Sequence, residues 1–140
     1  MRRILFVCVH NAGRSQMAEA FFHRLAEECG LATRAGSAGT APGPAVNPMA
    51  VEAMAELGIE MSDHRPRLLT AELAQAADRI ITMGCGVEAD MCPAGTLLTE
   101  DWGLPDPHGQ DLEGVRRVRD AVRERVALLV EELASGKPAR

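Results

Sequence analysis

Residues 4–22, ILFVCVHNAGRSQMAEAFF, decide how the rest of the chain is read. An apolar run stops at Cys8, and its β-branched and aromatic content predicts a buried strand over residues 3–8. Small and polar residues follow as far as Ser15. Met17, Phe21 and Leu25 then recur every four positions, with Ala18, Phe22 and Cys29 beside them, which predicts an amphipathic helix. Ser15 is expected to cap that helix and Gly30 to end it. Cys29 lies at the end of the apolar stripe and is expected in the core.

Outward from this segment the pattern alternates. LATRAGSAG (31–39) reads as a second strand that runs into a glycine-rich loop. A proline-containing connection leads to a helix capped by Asn47, with Pro48 at its first position and Gly58 after its last turn. TAELAQAA (70–77) is a short helix capped by Thr70, DRIITM (78–83) a third strand, and TLLTE (96–100) a short fourth strand. The last helix, over 112–134, has a stripe of Leu112, Val115, Val118, Val122, Val126, Leu129 and Leu133. Strands alternating with helices predict an α/β fold: a three-layer sandwich with a four-stranded parallel sheet covered by helices. The chain has 140 residues, which fits one domain over 1–140. In such sheets ligands bind beyond the carboxyl ends of the strands, where Cys8, Cys85 and Asp106 are expected to converge.

Bulk properties remove several classes. The formal net charge is −5, and no run of Lys and Arg offers a face to nucleic acid. An anionic substrate must therefore be held by local features. No apolar run approaches the ~20 residues of a membrane span, and the start of the chain is too short in apolar residues for a signal peptide. A cytoplasmic protein is expected, with Cys8, Cys29, Cys85 and Cys92 as thiols rather than structural disulfides. His10, His23, His64 and His108 form no pair at metal-ligand spacing, so neither a metal nor another cofactor is expected.

The turn Cys8-Val9-His10-Asn11-Ala12-Gly13-Arg14-Ser15 has the makings of an anion nest. Successive backbone N–H groups can turn inward, and the helix start adds unsatisfied N–H groups and a partial positive charge. Arg14 supplies a planar fork for two oxygens of a tetrahedral oxyanion. Asn11 and Gly13 tolerate left-handed backbone angles. The same field favours the thiolate of Cys8, and Ser15 is placed to donate to it. These eight residues form a candidate oxyanion site with Cys8 as nucleophile. Asp106, between Pro105 and Pro107, is a stiffened carboxyl suited to general acid work. Cys85 and Cys92 are seven residues apart, ~10.5 Å along a regular helix. A disulfide requires Cα atoms about 4.4–6.8 Å apart, so a helical segment would have to unwind for the two to bond. The residues alone leave an inert pair, a zinc site and a redox pair open.

VCVHNAGRSQMAEAFF resembles the phosphate-binding loop of the low-molecular-weight protein tyrosine phosphatase superfamily. RSQMAEA resembles more closely the arsenate reductases that share this fold. The resemblance continues through SAGT, NPMAVEAMAELGIEMSDH, ITMGC, EDWGLPDPHG and VRRVRDAVRERV, nearly the whole chain. His10 departs from it, since many members have glycine there. The resemblance implies a low-molecular-weight phosphatase-like fold, Asp106 as general acid, and Cys85 and Cys92 as the redox cysteines of the thioredoxin-coupled type. The implied activity is reduction of arsenate to arsenite through Cys8, Cys85 and Cys92, with Arg14 and Ser15 in support. Thioredoxin is then the reductant, phosphate or sulfate mimics the substrate, and the chain is a monomer. Some relatives hold a potassium ion near Asn11 and Glu19. Here Arg67 stands where a carboxylate ligand is expected, so no metal is assigned; Arg65 and Arg67 can equally be surface charges. The competing expectations are a phosphatase using Cys8 and Asp106, an arsenate reductase using mycothiol or glutathione, and a non-catalytic oxyanion sensor.

Overall fold

The computed structural model describes residues 3–83, 99–104, 107 and 109–135. Along the chain these form β1 (Arg3–Cys8), α1 (Arg14–Glu28), β2 (Arg34–Gly39), α2 (Pro48–Ala55), α3 (Ala71–Ala76), β3 (Arg79–Thr82), β4 (Thr99–Asp101) and α4 (Leu112–Ser135). The four strands make one parallel sheet in the order β2-β1-β3-β4. The expected fold class is therefore the observed one.

β1 has a partner on both edges, with Cys8 opposite Gly39 and Val7 opposite Thr82. Its side chains alternate between two apolar layers, as the pleat requires. Ile4, Phe6 and Cys8 join a core formed with α1, α2 and α4. Leu5 and Val7 face Ala38, Leu69, Ala74 and Ile80 on the side of α3. Burial on both faces explains why β1 reads as an unbroken apolar run. Phe6 anchors the larger layer, its ring 6.2 Å from that of Phe22 and 5.6 Å from that of Trp102, both tilted. Truncation of such a ring costs about 3–5 kcal/mol.

The last helix buries the stripe expected of it. Val115, Val118, Val122, Val126 and Leu129 are buried, and Leu112 and Leu133 are partly buried. Asn47 and Thr70 cap α2 and α3, their side chains accepting from the backbone N–H of Met49 and Leu73. Two expectations fail. α1 begins at Arg14 after Gly13, which has no side-chain cap, so Ser15 lies inside the first turn. Cys29 is exposed. The stripe's last buried member is Ala26, and the chain leaves the helix at Cys29 and turns through Gly30 at φ 66° before a further turn could face the core. β4 covers Thr99–Asp101, while residues 96–98 of the expected strand lie outside the described residues. No helix among the described residues is long and apolar enough to cross a membrane.

Candidate active site

The sheet delivers Cys8 to the carboxyl edge of its central strand, and α1 starts six residues later. Between them, each backbone carbonyl is taken from outside the turn. Thr40, Ala41, Gly43 and Asn47 donate their N–H groups to the carbonyls of Cys8, Val9, His10 and Ala12. Gln16 Nε2 donates to the carbonyl of Asn11, and the N–H of Met17 to that of Gly13. In a planar trans peptide the following N–H points opposite to the carbonyl. With the carbonyls of residues 8–13 directed outward, the N–H groups of residues 9–14 face the concave side. One of them marks the centre of the nest: the N–H of Asn11 donates to Cys8 Sγ over 3.2 Å.

The side chains behind the nest fix its polarity. Asn11 adopts φ 49°, a left-handed angle that asparagine tolerates better than most residues. Its Oδ1 accepts from the backbone N–H of Arg67 at 2.8 Å. That bond settles which end of the amide is oxygen, so Nδ2 is the end that donates to Ser15 Oγ, at 2.7 Å. Ser15 Oγ lies 3.0 Å from Cys8 Sγ. With the Asn11 amide directed at its oxygen, the hydroxyl is free to turn its own proton toward the sulfur when Cys8 is a thiolate. Gln16 extends the chain of bonds. Its Nε2 donates to Asn11 and to the carbonyl of Arg65 at 3.0 Å. Its Oε1 therefore receives the Nδ1–H of His64, at 2.9 Å. Asn11 and Ser15 are fully buried, so these bonds are made in a medium where an unmet partner is costly.

Arg14 is 4% exposed. Its Nη1 donates to the carbonyls of Met83, just after β3, and Leu104, just after β4. The guanidinium is thereby fixed at the carboxyl ends of two strands and lines the same cavity as Cys8. This cavity, about 790 Å³, is bounded by His10, Gly13, Val46, Met49 and Pro107. Pro107 closes on the turn at Gly13, where a Cβ would meet its Cγ at 2.8 Å. Only a residue without a side chain allows that approach.

The structure thus brings together Cys8, Asn11, Gly13, Arg14 and Ser15 as expected, with Val9, His10 and Ala12 in the turn. Cys85, Cys92 and Asp106 lie outside the described residues. Glu19 accepts from Ser37 Oγ at 2.6 Å, and Arg67 Nε donates to the carbonyl of Ser37. Arg67 is therefore more than a surface charge: its N–H holds Asn11 and its side chain lies along β2. Among the described residues no three His, Cys, Asp or Glu side chains group to hold a metal. Sequence reasoning missed Gln16, His64 and the backbone of Arg65 and Arg67. The one available signal was Gln16, a polar residue at the start of an apolar helix face.

A turn of inward N–H groups, a fixed guanidinium and a sulfur flanked by the Asn11 N–H and the Ser15 hydroxyl can bind a tetrahedral oxyanion and attack it. The sequence model of the low molecular weight phosphotyrosine protein phosphatase family matches residues 3–139. A putative arsenate reductase of Halobacterium salinarum is 41% identical over 130 residues, 91% of this chain and 89% of that protein. A solved structure of a YwlE mutant from Bacillus subtilis superposes with a TM-score of 0.86 at 30% identity, covering 95% of this chain and 99% of that one. A thioredoxin-dependent arsenate reductase from Corynebacterium glutamicum superposes with a TM-score of 0.77 at 34% identity, covering 98% of this chain and 64% of that one.

Proposed function

The chain belongs to the low molecular weight phosphotyrosine protein phosphatase family, and we propose that within it this protein reduces arsenate to arsenite. The observation that carries the reading is the Cys8 sulfur, centred in the nest beside Arg14 and held by Asn11 and Ser15. The 41% identity to a putative arsenate reductase supports the substrate.

In the proposed cycle the Cys8 thiolate attacks arsenic, and one arsenate oxygen leaves as water after protonation by Asp106. The nest and Arg14 hold the remaining oxygens. The Cys85 thiolate then attacks Cys8 Sγ. A Cys8–Cys85 disulfide forms, the sulfur–arsenic bond breaks, and its electron pair stays on arsenic, which departs as arsenite. The Cys92 thiolate attacks Cys85 and frees the Cys8 thiolate, leaving a Cys85–Cys92 disulfide. A dithiol protein of thioredoxin type returns the two electrons by exchange. The Corynebacterium relative's dependence on thioredoxin favours that donor. Phosphate shares arsenate's shape and charge, so slow phosphomonoester hydrolysis through Cys8 is an expected side activity.

A single turnover tests the reading. Reduced protein is given arsenate without external thiol, alkylated, and its disulfides mapped by mass spectrometry. The expected products are arsenite and a Cys85–Cys92 bond that forms only with arsenate, and both disappear in Cys8→Ser. Arsenite absent, with phosphomonoester hydrolysis at many turnovers per minute, overturns it in favour of a phosphatase. Arsenite formed only with mycothiol or glutathione, undiminished in a Cys85→Ser/Cys92→Ser variant, overturns the relay.

A further inference from the structure

The opposite end of β1 opens into a second cavity, about 280 Å³, on the face that carries α3. It lies roughly 16 Å from Cys8, five residues of strand away. Its rim includes Arg3, Arg34 and Arg67, and its walls include Leu5 and Leu73. The register explains the convergence. Arg3 pairs with Arg34 and Leu5 with Gly36, so all four positions share one face of the sheet. Two arginines therefore occupy partner positions on neighbouring parallel strands, and like charges so placed repel. The third arrives over Gly36, where a Cβ would come within 3.2 Å of Arg67 Nη2. Arg67 Nε is held on the carbonyl of Ser37.

This clustering runs against the rest of the molecule. The chain has 20 carboxylate residues and 15 basic ones, and Arg79, Arg116 and Arg119 each meet a carboxylate. Among the described residues, no ion pair reaches Arg3, Arg34 or Arg67. A groove with apolar walls and three arginines in its lining, in a chain with acid to spare, is complementary to an anion with several oxygens.

We propose that this groove is a second anion site, which binds a small polyanion of phosphate or carboxylate chemistry with at least two charged groups. The site is independent of the thiol chemistry at Cys8. Arg67 is the residue it shares with the support of the catalytic turn, so the test leaves Arg67 intact and alters the two exposed strand residues.

The intact chain, labelled with ¹⁵N, is titrated with pyrophosphate in one arm and citrate in the other. The expected result is a saturable shift of the Ala35 and Gly36 amides, with a dissociation constant separate from any seen at Ala12 and Gly13. The tighter arm identifies the phosphate or carboxylate source. An Arg3→Ala/Arg34→Ala variant weakens the groove constant at least tenfold and leaves the curve at Gly13 in place. Arg34→Glu alone abolishes saturation at Gly36, a check that holds if the double variant folds poorly. Shifts at Gly36 that rise without saturating, or a constant unchanged in the variants, overturn the site.

Discussion

Two polar networks hold this protein, and they are built from opposite materials. Behind the Cys8–Ser15 turn, Asn11, Ser15, Gln16 and His64 are joined by hydrogen bonds that involve no carboxylate, mostly buried. On the periphery, elements are tied by charge. Arg79 clasps Glu100 and Glu132, which joins β3 to β4 and α4. Glu56, at the end of α2, takes Arg116 and Arg119 of α4. The difference follows from what each network surrounds. A carboxylate buried beside Cys8 would oppose both a thiolate there and the oxyanion proposed to bind, whereas amides and hydroxyls orient a proton without adding charge. Here Arg79 and Arg119 are largely covered while Glu56, Glu100 and Glu132 keep part of their surface in water, which screens the pairs in part.

The contrast fails first if the network around Asn11 is the weaker of the two. Asn11→Ala removes partners from Ser15, Gln16 and the Arg67 N–H, and puts alanine at φ 49°. The expected loss is about 3–5 kcal/mol of stability, read by urea unfolding. Asn11→Gly keeps the backbone angle and isolates the share of the amide. A loss below that of any single ion-pair variant would break the comparison.

A smaller effect is expected at Ser15. Ser15→Ala leaves the thiolate one donor short at a cost of about 1–2 kcal/mol in stability. The clearer readout is chemical: the midpoint of Cys8 alkylation against pH moves upward, and the rate at neutral pH falls about tenfold. An unmoved midpoint would mean that the hydroxyl does not donate to sulfur.

The smallest effect belongs to Glu56. Its hydrogen bond from Arg116 holds its carboxyl below the usual 4.5, against the opposing push of burial, with Arg119 adding to the lowering. A depressed folded-state pKa stabilises above the unfolded value and is lost as pH falls through the folded one. The melting-temperature gap between the parent and Glu56→Gln should therefore be small and constant near neutrality. It should close in acid below pH 4.5 and shrink in high salt. A gap that widens in acid would reverse the assigned sign.

Local chemistry made most of the fold legible. The apolar run of β1, the Asn47-Pro48 start of α2 and the valine stripe of α4 each carry their own geometry. Ser15 misled because a serine at a helix start ordinarily caps it; here Cys8 and Asn11 compete for the hydroxyl and win. Cys29 misled because spacing carries a stripe past the point where the chain turns away. The nest was legible from the residues between Cys8 and Ser15. Its support was not, because His64 meets Gln16 across 48 positions of sequence and no local pattern encodes that meeting.

The bonds of Arg14 to Met83 and Leu104 carry a lesson for genetics. The guanidinium that lines the Cys8 cavity also fastens the loop to the ends of β3 and β4. A lysine there keeps a positive charge but lacks the planar guanidinium, of which Nη1 alone serves both carbonyls. Loss of activity at Arg14 would thus report a loosened frame as readily as a missing ligand contact. Arginine at this position is a joint of the scaffold as well as the proposed grip on the oxyanion, and selection would see the two as one trait.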